Sequence, residues 1–346
     1  HSFPTRRSSD LPMAGQVSMI EMGYDNRLGA DYFDRILKCF KPDVVHFFHL
    51  NRLGTGLIVR AALAGIRCFM TPTDFWAICP TGQLLIGEGR LCAGPSAHAG
   101  NCLKHFAQIT QKGVVSKIAE LLPTSWADLL VRLSKKGIVP IYPKQEEVVA
   151  LANRLPLNVS RLNKLNGLVA PNEFMRAVLV RHGVNAKLIT VAAFGIDVIA
   201  PTLSGHRPEH RGPLRIAFIG TLAPHKGCHV LIEAYTLLPA GFASLKIFGR
   251  SEDFPDYVHK LKQLAGGHGS IEFCGTFPNS RIGHVFTDID VLVVPSLWYE
   301  NTPLVLYSAQ AARCPVVASN LPGLVEVIKD NENGLLFEAG NSSDLA

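Results

Sequence analysis

From residue 214 onward, short apolar runs recur between helical patterns. The runs occupy residues 214–219, 245–248, 271–274, 291–295, 315–318 and 335–337. Each is too short for a helix and, apart from Arg215, Lys246 and Glu272, apolar throughout. Such runs read as strands covered on both sides. Helical segments between most of them supply the covering layers and require parallel crossovers. A chain written this way has few options besides an open parallel sheet wrapped by helices.

The first half follows the same alternation less cleanly. A helical pattern covers residues 31–40, and Pro42 and Asp43 lead into an apolar strand at 44–50. A helix at 54–65 and a strand at 67–71 follow. Residues 72–106 are irregular, with Gly, Pro and Cys throughout. Amphipathic helical patterns then appear at 114–122, 126–136 and 146–155, before a strand at 167–171, a helix at 173–182 and a strand at 188–192. Residues 198–213 mix Pro, Gly, His and Arg without periodicity and read as a linker. The expected organisation is a domain at 12–197 with a Cys-rich insertion at 72–106, the linker, and a second domain at 214–346.

Both ends look cut. Residues 1–11, HSFPTRRSSDL, match what a short sequencing adapter encodes in one frame and are set aside. The first domain shows no opening strand with a Gly-rich turn, and residues 341–346 read as a helix cap and first turn that stop abruptly. The expectation is an internal fragment that is inactive by itself.

Composition narrows the class. Apolar residues make up 47% of the 346 and charged residues 18%, enough for two proper cores. No run approaches the roughly 18 apolar residues of a membrane-spanning helix. Eight cysteines without a secretory leader fit a reducing cytoplasm. The net charge of +6 suits an anionic ligand or an anionic membrane surface. Basic residues lack the aromatic interleaving of a nucleic-acid groove.

Two loops carry the chemistry. Gly220-Thr221-Leu222-Ala223-Pro224-His225-Lys226-Gly227 follows the first strand of the second domain and brings Lys226 to a helix start, where it can neutralise a diphosphate. A Lys-Gly pair before a helix is common by chance. Trp298-Tyr299-Glu300 follows the strand at 291–295, and a helix is expected to begin with Asn301 or Thr302 as cap and Pro303 in its first turn. Both loops lie at C-terminal strand ends, where parallel sheets bind ligands.

These segments resemble the retaining glycosyltransferases of family 4, the "group 1" transferases. IGTLAPHKG looks like the family's phosphate loop and PSLWYENTPLVLYSAQAA like its E-x7-E segment. DVVHFFHL, TPTDFWAICP, APNEFM and FGID look like first-domain and linker segments in the same order. The resemblance implies a GT-B fold, two Rossmann-like domains facing across a cleft. It also implies transfer of a sugar from a nucleoside diphosphate sugar to a polysaccharide, lipid-linked or other glycoconjugate acceptor, with retained anomeric configuration. In that reading Lys226 steadies the departing diphosphate and no catalytic metal is needed. Glu300 holds donor-sugar hydroxyls, and Gly220, Thr221, Asn301, Thr302, Pro303, Leu304 and Ser308 line the donor site. Asp74 is the first-domain catalytic carboxylate, with Thr73 and His49 on the acceptor side.

Three positions depart from the family pattern. The second glutamate of E-x7-E is Ser308, which cannot offer two carboxylate oxygens to a ribose. The residue after the phosphate-loop glycine, often Arg, is Thr221. The His before the first-domain Asp is Thr73. These departures leave a rival open, a sugar-nucleotide-binding protein without turnover; another GT-B enzyme, such as an epimerase, is a further rival. Asp74 also has a plain reading as a turn residue. His46 and His49, three apart on one expected strand, should point to opposite faces, so at most one serves the site.

Two further features stand apart from the donor site. Cys79, Cys92, Cys102 and His105 have the spacing C-x12-C-x9-C-x2-H, which suits a structural zinc, or else they are unrelated buried thiols. Trp126, Leu129, Leu130 and Leu133 form an apolar stripe beside Arg132, Lys135 and Lys136. It fits peripheral contact with an anionic bilayer or, more plainly, a helix facing the core.

Overall fold

In a computed structural model, the structure describes residues 18–86, 89–110, 114–138, 144–196, 212–301 and 303–346. The chain divides into two compact units. One runs to Ala170 and includes Met175–Ala192; the other takes Pro171–Phe174 and Ala193–Ala346. The proposed adapter, and nearly all of the expected linker, lie outside the described residues.

The first unit holds a four-stranded parallel sheet, β1 (Val44–Phe47), β2 (Arg67–Met70), β5 (Gly167–Ala170) and β6 (Ile189–Val191), in that spatial order. A two-stranded hairpin, β3 (Leu85–Ile86) and β4 (Arg90–Leu91), sits in the Cys-rich insertion. β1 is shorter than the apolar run 44–50. The last ladder bond comes from Thr71 N–H to the Phe47 carbonyl, and the Leu50 carbonyl instead accepts from Leu53 and Gly54 in a turn. His49 is therefore a loop residue, and strand alternation does not set its direction.

Helix Gln145–Leu162 runs through Pro156, where the sequence pattern expects a stop near residue 155. Its inner face explains why it persists. Arg154, 4% exposed, donates to the carbonyls of Ile78 and Trp76 and lies 5.1 Å from the Trp76 ring. One turn on, the buried Asn158 donates to the Ala77 carbonyl at 3.0 Å and accepts from Thr55 Oγ1 at 3.0 Å. These bonds fasten the helix to the loop that carries Asp74 and outweigh one missing backbone donor. Burial pulls the Arg154 pKa down to about 10.

Helix Thr124–Lys135 turns most of its apolar stripe away from the core. Ala127, Val131 and Ser134 face the core, while Trp126, Leu129 and Leu130 are exposed and Leu133 is half-buried.

The second unit is a six-stranded parallel sheet: β7 (Leu214–Ile219), β8 (Ala243–Phe248), β9 (Ile271–Gly275), β10 (Val291–Val294), β11 (Val316–Ser319) and β12 (Leu335–Phe337). All six match the apolar runs to within two residues. The spatial order is β12-β11-β10-β7-β8-β9. Two core clusters cover its two faces: Ala217, Leu292 and Val294 pack with Phe286, Leu306 and Ile328, while Ile216, Phe218 and Val293 pack with Leu231, Ile232 and Leu261. Alternate residues of one strand enter opposite cores, which is why apolar residues dominate these runs. The chain winds outward from β7 in one direction, then returns beside it at β10. The sheet's topological switch point therefore lies between β7 and β10.

Replacing Arg154 by Met should leave the Trp76 and Ile78 carbonyls without their donor. The expected loss is about 2–4 kcal/mol, seen as a fall of roughly 5–15 °C in the thermal midpoint of the first unit.

Candidate functional site

The loops after β7 and β10 meet at the switch point. Pro224–Lys226 forms a single 3-10 turn, and Gly227 turns the chain into helix Cys228–Thr236 with φ of 70°. A Cβ at Gly227 would lie 1.7 Å from the Pro295 carbonyl oxygen, so the two loops cross at a distance only glycine permits. The Leu297 N–H donates to the His225 carbonyl at 2.8 Å and stitches the crossing.

At this crossing Lys226 and Glu300 touch. Lys226 Nζ donates to Glu300 Oε1 at 2.8 Å and to Oε2 at 3.1 Å. Glu300 is 4% exposed, and its Oε1 also accepts from Ser296 Oγ at 2.6 Å and Trp298 Nε1 at 2.8 Å. The Trp298 ring lies 4.8 Å beneath the Lys226 ammonium and 4.5 Å from the His225 ring. A buried carboxylate is tolerated only with such partners. His225 sits where burial, and then the Lys226 charge, push its pKa below the usual histidine range. Sequence reading named Lys226 and Glu300 but assigned no role to Ser296 or His225. An ordinary Ser two residues past a strand carries no signal of its own.

The pair opens into a cavity of about 620 Å³ lined by Gly220, Thr221, Pro303, Leu304 and Ser308, together with Arg250, Asp253, Thr276 and Asn279. Ser308 is buried and donates to the Leu304 carbonyl at 3.0 Å, a bond within its own helix. That helix is Leu304–Ala311 with Pro303 in the N-cap position, one residue or more later than the expected cap. Asn301 is buried and is absent from the cavity lining; its carbonyl and that of Glu300 accept from Asn172 Nδ2. Thr302 lies outside the described residues. Behind the loop, Gly323 has φ of 89°, and a Cβ there would meet the Glu300 carbonyl oxygen at 2.0 Å.

In the first unit, His49 and Asp74 come together at the C-terminal ends of β1 and β2. His49 Nε2 is 3.0 Å from Asp74 Oδ2, and the Asn51 N–H donates to Nδ1 at 3.3 Å, which leaves the imidazole proton on Nε2 facing Asp74. Asp74 Oδ1 accepts from the Trp76 N–H at 2.7 Å, so the plain turn role is also real. Thr73 is exposed beside it. His46 turns elsewhere, to Thr71 Oγ1 at 2.9 Å.

The expected zinc ligands are a correction. Cys79, Cys92, Cys102 and His105 line one small cavity, yet among the described residues no group of three or more His, Cys, Asp or Glu is arranged to hold a metal ion. Cys79 Sγ pairs with Thr81 Oγ1 at 3.2 Å, and Cys92 Sγ turns to the Gly94 backbone. Burial raises the Cys92 and Cys102 thiol pKa values and lowers that of His105, so all three favour their neutral forms.

His225 gives the site a pH signature. Between its depressed folded value and 6.5, the unfolded chain binds a proton that the folded chain does not, so stability falls as pH drops through that window. His105 and His229 are depressed in the same sense. His225→Gln should therefore flatten, but not abolish, the loss of stability between about pH 7 and pH 5, measured by denaturant titration at each pH.

Residues 204–346 match the family model for glycosyl transferases group 1. Over 132 residues the chain is 35% identical to an uncharacterized glycosyltransferase of Methanocaldococcus jannaschii, covering 38% of this chain and 33% of that one. It is 29% identical over 225 residues to the amylovoran biosynthesis glycosyltransferase of Erwinia amylovora, covering 62% and 51%. The chain thus spans a third to a half of the length of these relatives. Its fold is similar to that of Anabaena HepE, solved in complex with UDP, with a TM-score of 0.61, 17% identity and coverage of 92% and 70%. Parallel α/β sheets in both units are those of the GT-B architecture. Over residues 204–346 the chain is similar to the group 1 glycosyl transferases.

Proposed function

We propose that the protein transfers a sugar from a nucleoside diphosphate sugar to a glycan or lipid-linked acceptor, with retained configuration. The observation that carries this reading is the meeting of Lys226 and Glu300 at the mouth of the switch-point cavity. Glu300 holds Lys226 in place. Ser296 and Trp298 fix the carboxylate independently, so it stays aligned when Lys226 turns to an incoming diphosphate. Glu300 Oε2, which receives one longer bond from Lys226, is then free to accept hydroxyls of the donor sugar. As the bond from the anomeric carbon to the phosphate oxygen breaks, negative charge grows on the diphosphate and positive charge on the sugar. A fixed ammonium beside the first and a carboxylate near the second stabilise both. His49 and Asp74 are assigned to the acceptor hydroxyl.

The comparisons support a UDP-sugar as the first donor to test, since HepE was solved with UDP. The amylovoran relative supports a polysaccharide pathway. Ser308 favours a second reading, nucleotide binding without turnover, because its hydroxyl is already spent on the Leu304 carbonyl and no carboxylate stands at that position.

The deciting experiment measures UDP binding, UDP-glucose hydrolysis and sugar transfer on the same protein, beside Lys226→Gln. Glutamine can still donate to Glu300, so the fold is kept while the charge is lost. The expected outcome is turnover lowered at least about 100-fold with a nearly unchanged melting temperature. Binding without either reaction selects the second reading, and absence of binding removes both. Ser308→Glu should tighten UDP binding about tenfold, read by calorimetry, if the ribose lies against that helix.

A further inference from the structure

Helix Thr124–Lys135 is clamped to the first unit by its buried face and turns an exposed apolar stripe outward. Asp128 Oδ1 accepts from Ser96 Oγ at 2.8 Å and from the N–H groups of His98 and Gly100 at 3.0 and 2.8 Å, so the helix cannot roll. The outward stripe is Trp126, Leu129 and Leu130, 61%, 45% and 46% exposed. These positions fall on one side of a helix at i, i+3 and i+4. Arg132, Lys135 and Lys136, all exposed, follow on its polar side and final turn. The preceding helix, Val114–Leu121, repeats the composition, with Ile118 and Leu121 exposed beside the exposed Lys117. Glu120 is the single exposed acid on these two helices.

We propose that this face is a docking surface for an anionic lipid bilayer. Four cations against one exposed acid demand a negative partner, which sets charge complementarity. The apolar stripe demands that the same partner also offer hydrocarbon, which a nucleic acid or an acidic peptide does not. A helix with Trp and Leu on one side and Lys and Arg beside them seats at the headgroup boundary. Among the described residues no helix is long and apolar enough to cross a membrane, so contact of this kind is peripheral. The surface uses no residue of the donor cavity. It extends the proposed function by placing the enzyme where a lipid-linked acceptor would be.

Trp126 is its own reporter. Of the three tryptophans, Trp76 is buried and Trp298 is hydrogen-bonded at Glu300, whereas Trp126 stands in solvent. The whole chain is mixed with vesicles of phosphatidylglycerol and phosphatidylcholine, or of phosphatidylcholine alone, and followed by co-sedimentation and tryptophan emission. Expected are binding to the anionic vesicles only, a blue shift, and quenching by brominated acyl chains that Trp126→Phe abolishes. Arg132→Glu/Lys135→Glu/Lys136→Glu and Trp126→Ser/Leu130→Ser should each lower partitioning at least about tenfold. UDP binding should be unchanged in every variant, which separates failure of this surface from failure of the transferase reading. The proposal is overturned by absence of vesicle binding, or by binding that ignores these substitutions. A blue shift that tracks protein concentration without lipid also overturns it, because it gives the face to a second copy of the chain.

Discussion

A carboxylate buried at the end of a parallel sheet is the constraint around which the second unit is arranged. Glu300 has almost no access to water, so its charge must be met by the protein. Two partners come from its own loop, Ser296 and Trp298, and the third comes from the loop after β7 as Lys226. Meeting that third partner requires the loops to cross closely, which fixes Gly227 against the Pro295 carbonyl. The crossing in turn requires β7 and β10 to be neighbours, as the reversal of strand order makes them. Topology, glycine and charge pair are thus one connected requirement. Their joint product is a cation held ready above a cavity, in a setting where its charge is little screened.

The same arrangement limits what a ligand can do. An anion entering the cavity competes with Glu300 for Lys226, so binding exchanges one charge-assisted contact for another. Trp298 eases the exchange because its ring faces the ammonium while its N–H stays on Glu300. His225, packed on that ring and kept neutral by burial and by Lys226, adds bulk without adding charge. A second cation there would weaken the hold of Glu300 on Lys226.

What the sequence disclosed follows from which interactions are local. The six strands of the second unit were legible because both faces of the sheet are covered and apolar residues dominate each run. Lys226 and Glu300 were legible because each follows such a strand. Features set by distant partners were not. Pro156 reads as a helix stop until Arg154 and Asn158 are seen gripping the 76–78 carbonyls. The spacing of Cys79, Cys92, Cys102 and His105 did bring them to one cavity, but spacing says nothing of where each sulfur turns. Periodicity marked Trp126, Leu129 and Leu130 as one face of a helix; whether a partner covers that face lies beyond the pattern.

Ser308 shows how such a departure can be physically favourable in the unliganded chain. The position is 5% exposed, on a helix that shares the cavity wall with Glu300. A glutamate there would bury a second carboxylate near the first, with no partner until a ribose arrived. The cost would fall on the empty protein as desolvation and like-charge repulsion. Serine avoids both by donating to the Leu304 carbonyl one turn back. What it gives up is acceptor strength toward the ligand, so the remaining wall must supply it. Among the described lining residues, Asp253 is the carboxylate other than Glu300. It is half exposed and 4.0 Å from Arg250, so the protein hydrates it at little cost when the cavity is empty.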